Sequence, residues 1–331
     1  MKERVVSGIR ATGQLHLGNY LGAMRNFVDM QEKYECFFFI ADYHTLTTAP
    51  NPETIRQNLP EIVLSYLAIG LDPEKCTIFA QSSVPEITEL TLLLSMIQPV
   101  SELERLPTYK DKKKNQPKNI NLGLLSYPVL MAADIIIQKA NLVPVGRDQL
   151  PHIELTQKIT ERFNRRYGDT FPVPKALIEK AITVPGLDGT GKMGKSEVNA
   201  IDLIDEPEVV YQKIKVAVTD TNRKRRSDSG NPFECNLYTI HEQLTSDPFH
   251  DPLVKSILEG CKTAAIGCVE CKERLSARVV ELLKPFQERR KELASKLDYV
   301  QQVLHEGGLK ARKTAQETVA EAREKMGLQL F

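Results

Sequence analysis

Three stretches of this chain hold residue types that do chemistry. The first is Thr12-Gly13-Gln14-Leu15-His16-Leu17-Gly18-Asn19. Gly18 has no side chain, so a ligand can come close to the first turn of the helix that follows. The free N–H groups and the dipole of that turn favour a phosphate. His16, just before it, is placed to donate a hydrogen bond as charge builds on the phosphate. The alternative is a strand–turn–helix corner with an incidental histidine. The second stretch is Gly191-Lys192-Met193-Gly194-Lys195-Ser196, a pliable loop whose two lysines, three apart, supply point charges for a polyphosphate. Gly189 to Ser196 coincides in part with a P-loop, but no strand immediately precedes it, and a plain glycine–lysine surface loop is the competing account. The third is the quartet Cys235, Cys261, Cys268 and Cys271. Only the last two make the short knuckle that zinc sites use in pairs. A 4Fe–4S cluster tolerates more varied spacing and needs four cysteines. Unligated thiols are the third possibility.

The elements that must position these residues alternate. Val5 and Val6 begin a strand, and Leu21, Met24 and Val28 recur at the spacing of one buried helical face. Cys36 to Ala41 is a continuous apolar run suited to a parallel strand covered on both faces, and Asp42-Tyr43-His44 follows at its carboxyl end. Asn51-Pro52-Glu53 starts a helix that continues through Ile55, Leu59, Ile62, Tyr66 and Ile69. A strand over Thr77 to Gln81, a helix from Pro85 to about Ile97, a strongly apolar helix over Gly123 to Ala140 and a short strand over Leu142 to Val145 come next. This pattern predicts an α/β fold, a Rossmann-type doubly wound parallel sheet. Pro107 to Asn121 breaks it and reads as a solvated lysine-rich loop or a contact for a phosphate backbone. After Glu197 the chain is almost wholly helical, with Pro207 to Val218, Arg274 to Leu297 and Leu309 to Met326 as the clearest helices. The basic run Arg223-Lys224-Arg225-Arg226 stands between them as a solvated loop or a set of phosphate contacts.

Composition sets the bounds. A chain of 331 residues with 41% apolar and 26% charged residues has room for two domains. Nothing approaches a membrane span, and the charged start lacks the apolar segment of a secretory signal, so the protein reads as cytoplasmic with no membrane partner. The net charge of +1 means that any nucleic acid must be met by local patches. Cys36 and Cys76 read as buried core thiols. Crowding of the other four argues for metal over disulfides in a reducing compartment.

Taken together, the two phosphate-seeking stretches resemble the signatures of class I aminoacyl-tRNA synthetases. His16-Leu17-Gly18-Asn19 is similar to His-Ile-Gly-His with asparagine last, and Lys192-Met193-Gly194-Lys195-Ser196 is similar to Lys-Met-Ser-Lys-Ser with glycine for the first serine. Further strings look like the bacterial tryptophanyl-tRNA synthetases. They are Ser7-Gly8-Ile9, Tyr20-Leu21-Gly22-Ala23, Ser101-Glu102-Leu103-Glu104-Arg105, Met131-Ala132-Ala133-Asp134, Pro144-Val145-Gly146-Arg147-Asp148-Gln149 and His152-Ile153-Glu154-Leu155-Thr156. The resemblance runs from end to end and is densest over residues 5–200.

The resemblance implies a catalytic domain over 1–196 and an all-α domain that binds the tRNA anticodon over 197–331, with the return of the last helix onto the first domain left open. It implies that L-tryptophan and ATP give tryptophanyl-adenylate and pyrophosphate, and that tryptophan then passes to the 3′-terminal ribose of tRNA(Trp). The catalytic residues would be His16, Asn19, Lys192 and Lys195, with Mg²⁺ sharing the charge of the leaving pyrophosphate. Arg10, Ala11, Thr12, Gly18, Gly146, Arg147, Asp148, Val184, Met193, Gly194 and Ser196 match positions that contact ATP, Asp148 being the candidate for the ribose hydroxyls. Asp134 matches the acceptor for the indole N–H, although on an apolar helix an aspartate can equally serve a helix–helix hydrogen bond. Met131 would line the pocket, and Tyr127, Gln149 and His44 would hold the amino and carboxylate groups. A tyrosine-specific enzyme would need a different pocket. A homodimer is implied, and a subset of the family binds 4Fe–4S through a similar cysteine pattern, there a structural clamp. The departures are Arg10 for glutamine, Ala11 for proline and Gly194 for serine.

Overall fold

The apolar run after Tyr34 forms a strand, β2 (Glu35–Ile40), in which five consecutive side chains are buried. Such a strand needs cover on both faces, and the sheet provides it. In the computed structural model, which describes residues 2–48, 50–178, 182–194 and 199–328, β2 pairs in parallel with β1 (Arg4–Ile9) and β3 (Cys76–Ala80). On the other side β1 pairs with β4 (Leu142–Pro144), and β4 with β5 (Lys175–Leu177). The order is β3-β2-β1-β4-β5, all parallel. The order reverses between β1 and β4, so their carboxyl ends flank the switch point where such sheets take ligands.

Side chains alternate between two cores. Val5, Cys36, Phe38, Ile40 and Ile78 face one, with Phe27, Met30, Ile62 and Tyr66 from the Arg25–Lys33 and Pro52–Ala68 helices. Val6, Phe37, Phe39 and Phe79 face the other, with Leu90, Ile136, Ile159 and Phe163 from the Glu86–Ser95, Leu122–Ile137 and Leu150–Tyr167 helices. Asn51 caps its helix by accepting from the Glu53 N–H at 3.0 Å, as its position before Pro52 predicts. The first core continues past residue 196 without a seam, taking in Ile201, Leu203, Val210, Ile214 and Leu283. Helices Pro207–Lys215 and Cys268–Ala294 carry the last three of these side chains. No helix among the described residues is long and apolar enough to cross a membrane.

Two sequence expectations are corrected. Pro107 to Asn121 is not a solvated loop throughout, because Pro107–Asn115 is a helix. And the last helix does not begin at Leu309 but runs from Leu297 to Lys325, through Gly307-Gly308. Its early residues Val300 and Val303 join the first core, while Ala311, Ala315, Val319 and Ala322 join the second. The helix therefore crosses from one face of the sheet to the other over the edge strand β3. The glycines make the crossing possible, since a Cβ on Gly307 would run into the backbone carbonyl of Ile78. Beyond the crossing, the Arg312–Glu86 and Arg323–Glu89 ion pairs fix the helix to Glu86–Ser95. A Gly307→Ala chain is expected to lose about 2–3 kcal/mol of stability to overpacking. Thermal unfolding is the measurement, and Gly308→Ala, which meets only the Ser83 side chain, should cost less.

Candidate active site

β1 delivers the chain to His16, which caps a short turn, Leu17–Asn19, from an extended conformation (φ −119°, ψ 169°). Asn19 Oδ1 accepts from the His16 backbone N–H at 3.1 Å, which fixes the turn. His16 is buried. A Cβ on Gly18 would lie 2.9 Å from its Nδ1 and 3.4 Å from Cβ of Met193, so only glycine lets the imidazole and the lysine loop close over this turn together.

The two phosphate-seeking stretches meet through the backbone. The Leu17 N–H donates to Ile201 O at 2.8 Å, and the Leu203 N–H donates to Leu15 O at 2.9 Å. Residues just past the lysine loop are thus stitched antiparallel along both sides of His16. Lys195 and Ser196 lie outside the described residues. Lys192 is exposed and pairs its backbone with Pro185 across the stem of the loop, and the Met193 N–H donates to the carbonyl of buried Val184 at 2.9 Å. Gly189 and Gly191 take φ of +81° and +53°, the left-handed turns a glycine loop supplies. Behind the loop, buried Asn199 accepts from the Gly194 N–H at 3.1 Å and donates to Asp188 Oδ1 at 3.2 Å and Lys192 O at 3.4 Å.

The other expected nucleotide positions lie at the switch point. The Ala11 N–H donates to Thr45 Oγ1, and Asn58 donates to Ala11 O, so this position uses its backbone. Arg10 donates to Thr48 Oγ1 at 3.0 Å, and burial lowers its pKa. Thr12 is half-buried close by. Pro144 to Gly146 face Gly22, Ala23 and Asn26 across a cleft of about 60 Å³. Gly146 opens a short turn in which Arg147 and Asp148 are exposed, and Asp148 accepts from Gln149 at 2.9 Å.

A larger cavity of about 390 Å³ lies beside the sheet. All five residues expected to meet an amino acid line it: His44, Tyr127, Met131, Asp134 and Gln149. Asp134 is 3% exposed and accepts from His44 Nε2 at 2.8 Å and from Gln81 Nε2 at 2.8 and 3.0 Å. Burial raises its pKa, and the bonds from His44 and Gln81 oppose that rise. The carboxylate is thus a preformed acceptor in the wall of a cavity, held from behind by two donors. Because His44 belongs to the short Asp42–Thr45 helix and Asp134 to Leu122–Ile137, the same carboxylate also makes a bond between two helices.

The sequence reading missed four residues here. Gln81, just past the end of β3, orients Asp134. Lys112 comes from the segment expected to be a loop and places its ammonium 3.6 Å from the centre of the Tyr127 ring. Burial and the nearby Arg10 charge bring Lys112 down to about 8, while the ring face favours the charged form. Tyr127 donates to Thr108 Oγ1 at 2.9 Å, and His152 Nε2 lies 3.0 Å from the same oxygen. Burial and the neighbouring Lys112 and His44 lower His152 to about 4, so it is a neutral partner in the wall. Gln81 follows a strand end, Thr108 and Lys112 lie in the charged run, and His152 opens one of the family-like strings, but none of these marks a cavity contact by itself.

The cysteine quartet gathers as expected, but not in ligating geometry. Among the described residues no three His, Cys, Asp or Glu side chains are disposed to hold a metal ion. The thiols are nonetheless neighbours: burial pushes Cys271 up to about 12, and Cys235, Cys261 and Cys268 add to the rise. The basic run is also not a uniform solvated loop. Arg223 donates to Ile266 O at 2.8 Å and lies 3.8 Å from the Cys261 sulfur, while Arg226 donates to Ala264 and Ala265 carbonyls.

The family described as tRNA synthetases class I (W and Y) matches residues 2–284, which hold the His16 turn, the lysine loop and the residues that line the cavity. The tryptophan–tRNA ligase of Porphyromonas gingivalis is 45% identical, the match covering 98% of this chain and 99% of the relative. That of Aquifex aeolicus is 41% identical over 98% of this chain and all of its own length. The crystal structure of the Campylobacter jejuni tryptophanyl-tRNA synthetase with ADP and tryptophan superposes with a TM-score of 0.86 at 36% identity, covering 98% of this chain and 100% of that one. The chain belongs to the tryptophan–tRNA ligase family of class I aminoacyl-tRNA synthetases.

Proposed function

We propose that this enzyme activates L-tryptophan with ATP and transfers it to the terminal ribose of tRNA(Trp). The observation that carries the substrate assignment is the buried Asp134 carboxylate in the wall of the 390 Å³ cavity. An indole N–H in an apolar pocket must find an acceptor or remain an unpaired buried donor. ATP–pyrophosphate exchange with tryptophan, tyrosine or neither amino acid tests the reading. Exchange with tryptophan alone is expected, and exchange only with tyrosine would sink it.

In this reading the tryptophan carboxylate attacks the α-phosphorus of ATP and pyrophosphate leaves, so catalysis is chiefly positioning and charge stabilisation. His16 and the turn at Gly18-Asn19 serve the α-phosphate. Lys192 and Lys195 hold the pyrophosphate, and Mg²⁺ supplies further positive charge there when bound. Arg10 and Lys112, whose side chains line the amino-acid cavity, add positive charge where the two substrates join. Because Lys112 titrates near 8 rather than at the ordinary lysine value, it is charged below that pH and neutral above it. The KM for tryptophan is therefore expected to rise as pH is raised through about 8. In Lys112→Gln a pH series of exchange rates should lose that rise. Asn199 braces the lysine loop, and Asn199→Ala is expected to raise KM for ATP roughly tenfold, the equivalent of about 1–1.5 kcal/mol of lost hydrogen bonding. Tryptophan binding without nucleotide should be unchanged, and an equal loss in both would reject the bracing role.

The helical region after residue 196 takes the anticodon end of the tRNA. A homodimer is supported by the exposed apolar side chains Leu92, Met96, Val100 and Leu122. For the quartet, the count of four cysteines and their uneven spacing favour a 4Fe–4S cluster over zinc, with Cys235, Cys261, Cys268 and Cys271 as ligands that must close up to hold it. Such a cluster would supply a structural clamp and no step in the reaction. Iron and sulfide analysis of anaerobically purified protein decides it, and a colourless protein containing zinc would reject it.

A further inference from the structure

The basic run Arg223-Lys224-Arg225-Arg226 divides into two pairs with different fates. Arg223, half-buried, and Arg226, itself exposed, spend their guanidinium groups on the carbonyls of Ala264, Ala265 and Ile266. Lys224 and Arg225 are exposed, and their backbone N–H groups donate to Asp228 at 3.1 and 2.7 Å. This carbonyl-binding pair docks the turn on the segment that follows Cys261. In the same place Gly230 donates to Cys261 O at 3.0 Å, and a Cβ there would stand 2.5 Å from the Cys261 sulfur. Next to it is Phe233, a large apolar ring that is 68% exposed. Lys262 reaches over this ring at 4.9 Å from its centre, and Tyr238 meets it edge-on at 6.0 Å. The acidic groups nearby are already engaged, Asp228 by the two amides and Glu234 by Asn222.

An open aromatic face beside several solvent-facing cations has the chemistry of a single-stranded nucleic-acid contact. Bases stack on the ring, and the charges meet the flanking phosphates. We propose that Phe233, Lys224, Arg225 and Lys262 bind an unpaired stretch of the tRNA, with Arg223 and Arg226 serving only to present the turn. This rests on the reading of the protein as a tRNA ligase and adds which side chains of the helical region touch RNA. A whole chain with a net charge of +1 needs such a local patch.

The test uses the full-length protein and a tRNA(Trp) transcript, with Kd measured across a KCl series. Replacing Lys224→Gln and Arg225→Gln together should flatten the slope of log K against log salt by about 1.4, as expected for two lost phosphate contacts on a single strand. Phe233→Ala should weaken binding roughly tenfold at every salt concentration without changing the slope, because stacking is not ionic. Arg223→Gln should lower the unfolding temperature and leave the slope alone. Tryptophan-dependent pyrophosphate exchange, which needs no RNA, should be unchanged in the Lys224/Arg225 and Phe233 variants. Wild-type affinity and slope in those variants, with exchange intact, would overturn the proposal. An Arg223→Gln slope change as large as that of the pair would overturn the division of the run. A wild-type protein lacking tryptophan-dependent exchange would instead overturn the ligase reading.

Discussion

Asp134→Asn is expected to lower kcat/KM for tryptophan by roughly three orders of magnitude while leaving KM for ATP near its original value. A carboxylate only accepts hydrogen bonds. At Asp134 two donors already converge, His44 Nε2 and Gln81 Nε2, and in the proposed function the indole N–H would be the third. Asparagine has the same shape but one oxygen and one NH₂ group, so its amide must face at least one of these donors. The result is two buried N–H groups without acceptors, each costing about 1–3 kcal/mol. Sites built to hydrogen-bond a substrate lose discrimination on this scale when the pairing is broken. Steady-state exchange at saturating ATP gives the number, and an Asp134→Asn variant within tenfold of the original would remove Asp134 from the indole site. Gln81→Leu should give part of the same loss through the carboxylate's orientation, since Gln81 has no place of its own in the cavity lining.

His16→Ala should reduce the rate of adenylate formation about 100- to 1000-fold, the usual effect of removing one donor aimed at developing charge. Tryptophan affinity without nucleotide should not change, because His16 does not line the amino-acid cavity. Single-turnover formation of the adenylate separates the chemical step from binding. Gly18→Ala offers an independent approach to the same atom, as its added Cβ would press on the imidazole at 2.9 Å from Nδ1. It should impair the same step with His16 still present. Equal losses of rate and of tryptophan binding in either variant would mean that the turn holds the fold and not the phosphate.

Much of this architecture could be read before any coordinates. The unbroken apolar run from Cys36 predicts a central strand, and Asn51-Pro52-Glu53 places a helix start correctly, because both depend on local chemistry alone. The five expected amino-acid contacts are found around one cavity because the resemblance supplied positions that periodicity does not. What stayed hidden depends on distant partners. Lys112 belongs to a charged run that looks solvated, and nothing nearby in sequence tells of the Tyr127 ring beneath it. The helix expected from Leu309 in fact starts at Leu297 and runs through Gly307-Gly308, since the reason for two glycines there is the backbone of β3. The run Arg223 to Arg226 looks uniform because carbonyls some forty residues away divide it. The cysteine spacing left a cluster, zinc and unligated thiols open, and the described thiols are near one another without forming a ligand set.

The crossing of the last helix over β3 also sets an order of events at the ribosome. Until residues near 307 have left the exit tunnel, the first-made strands present an unprotected edge to other nascent chains. Emergence of that segment is thus the moment at which the sheet loses its tendency to pair with its neighbours.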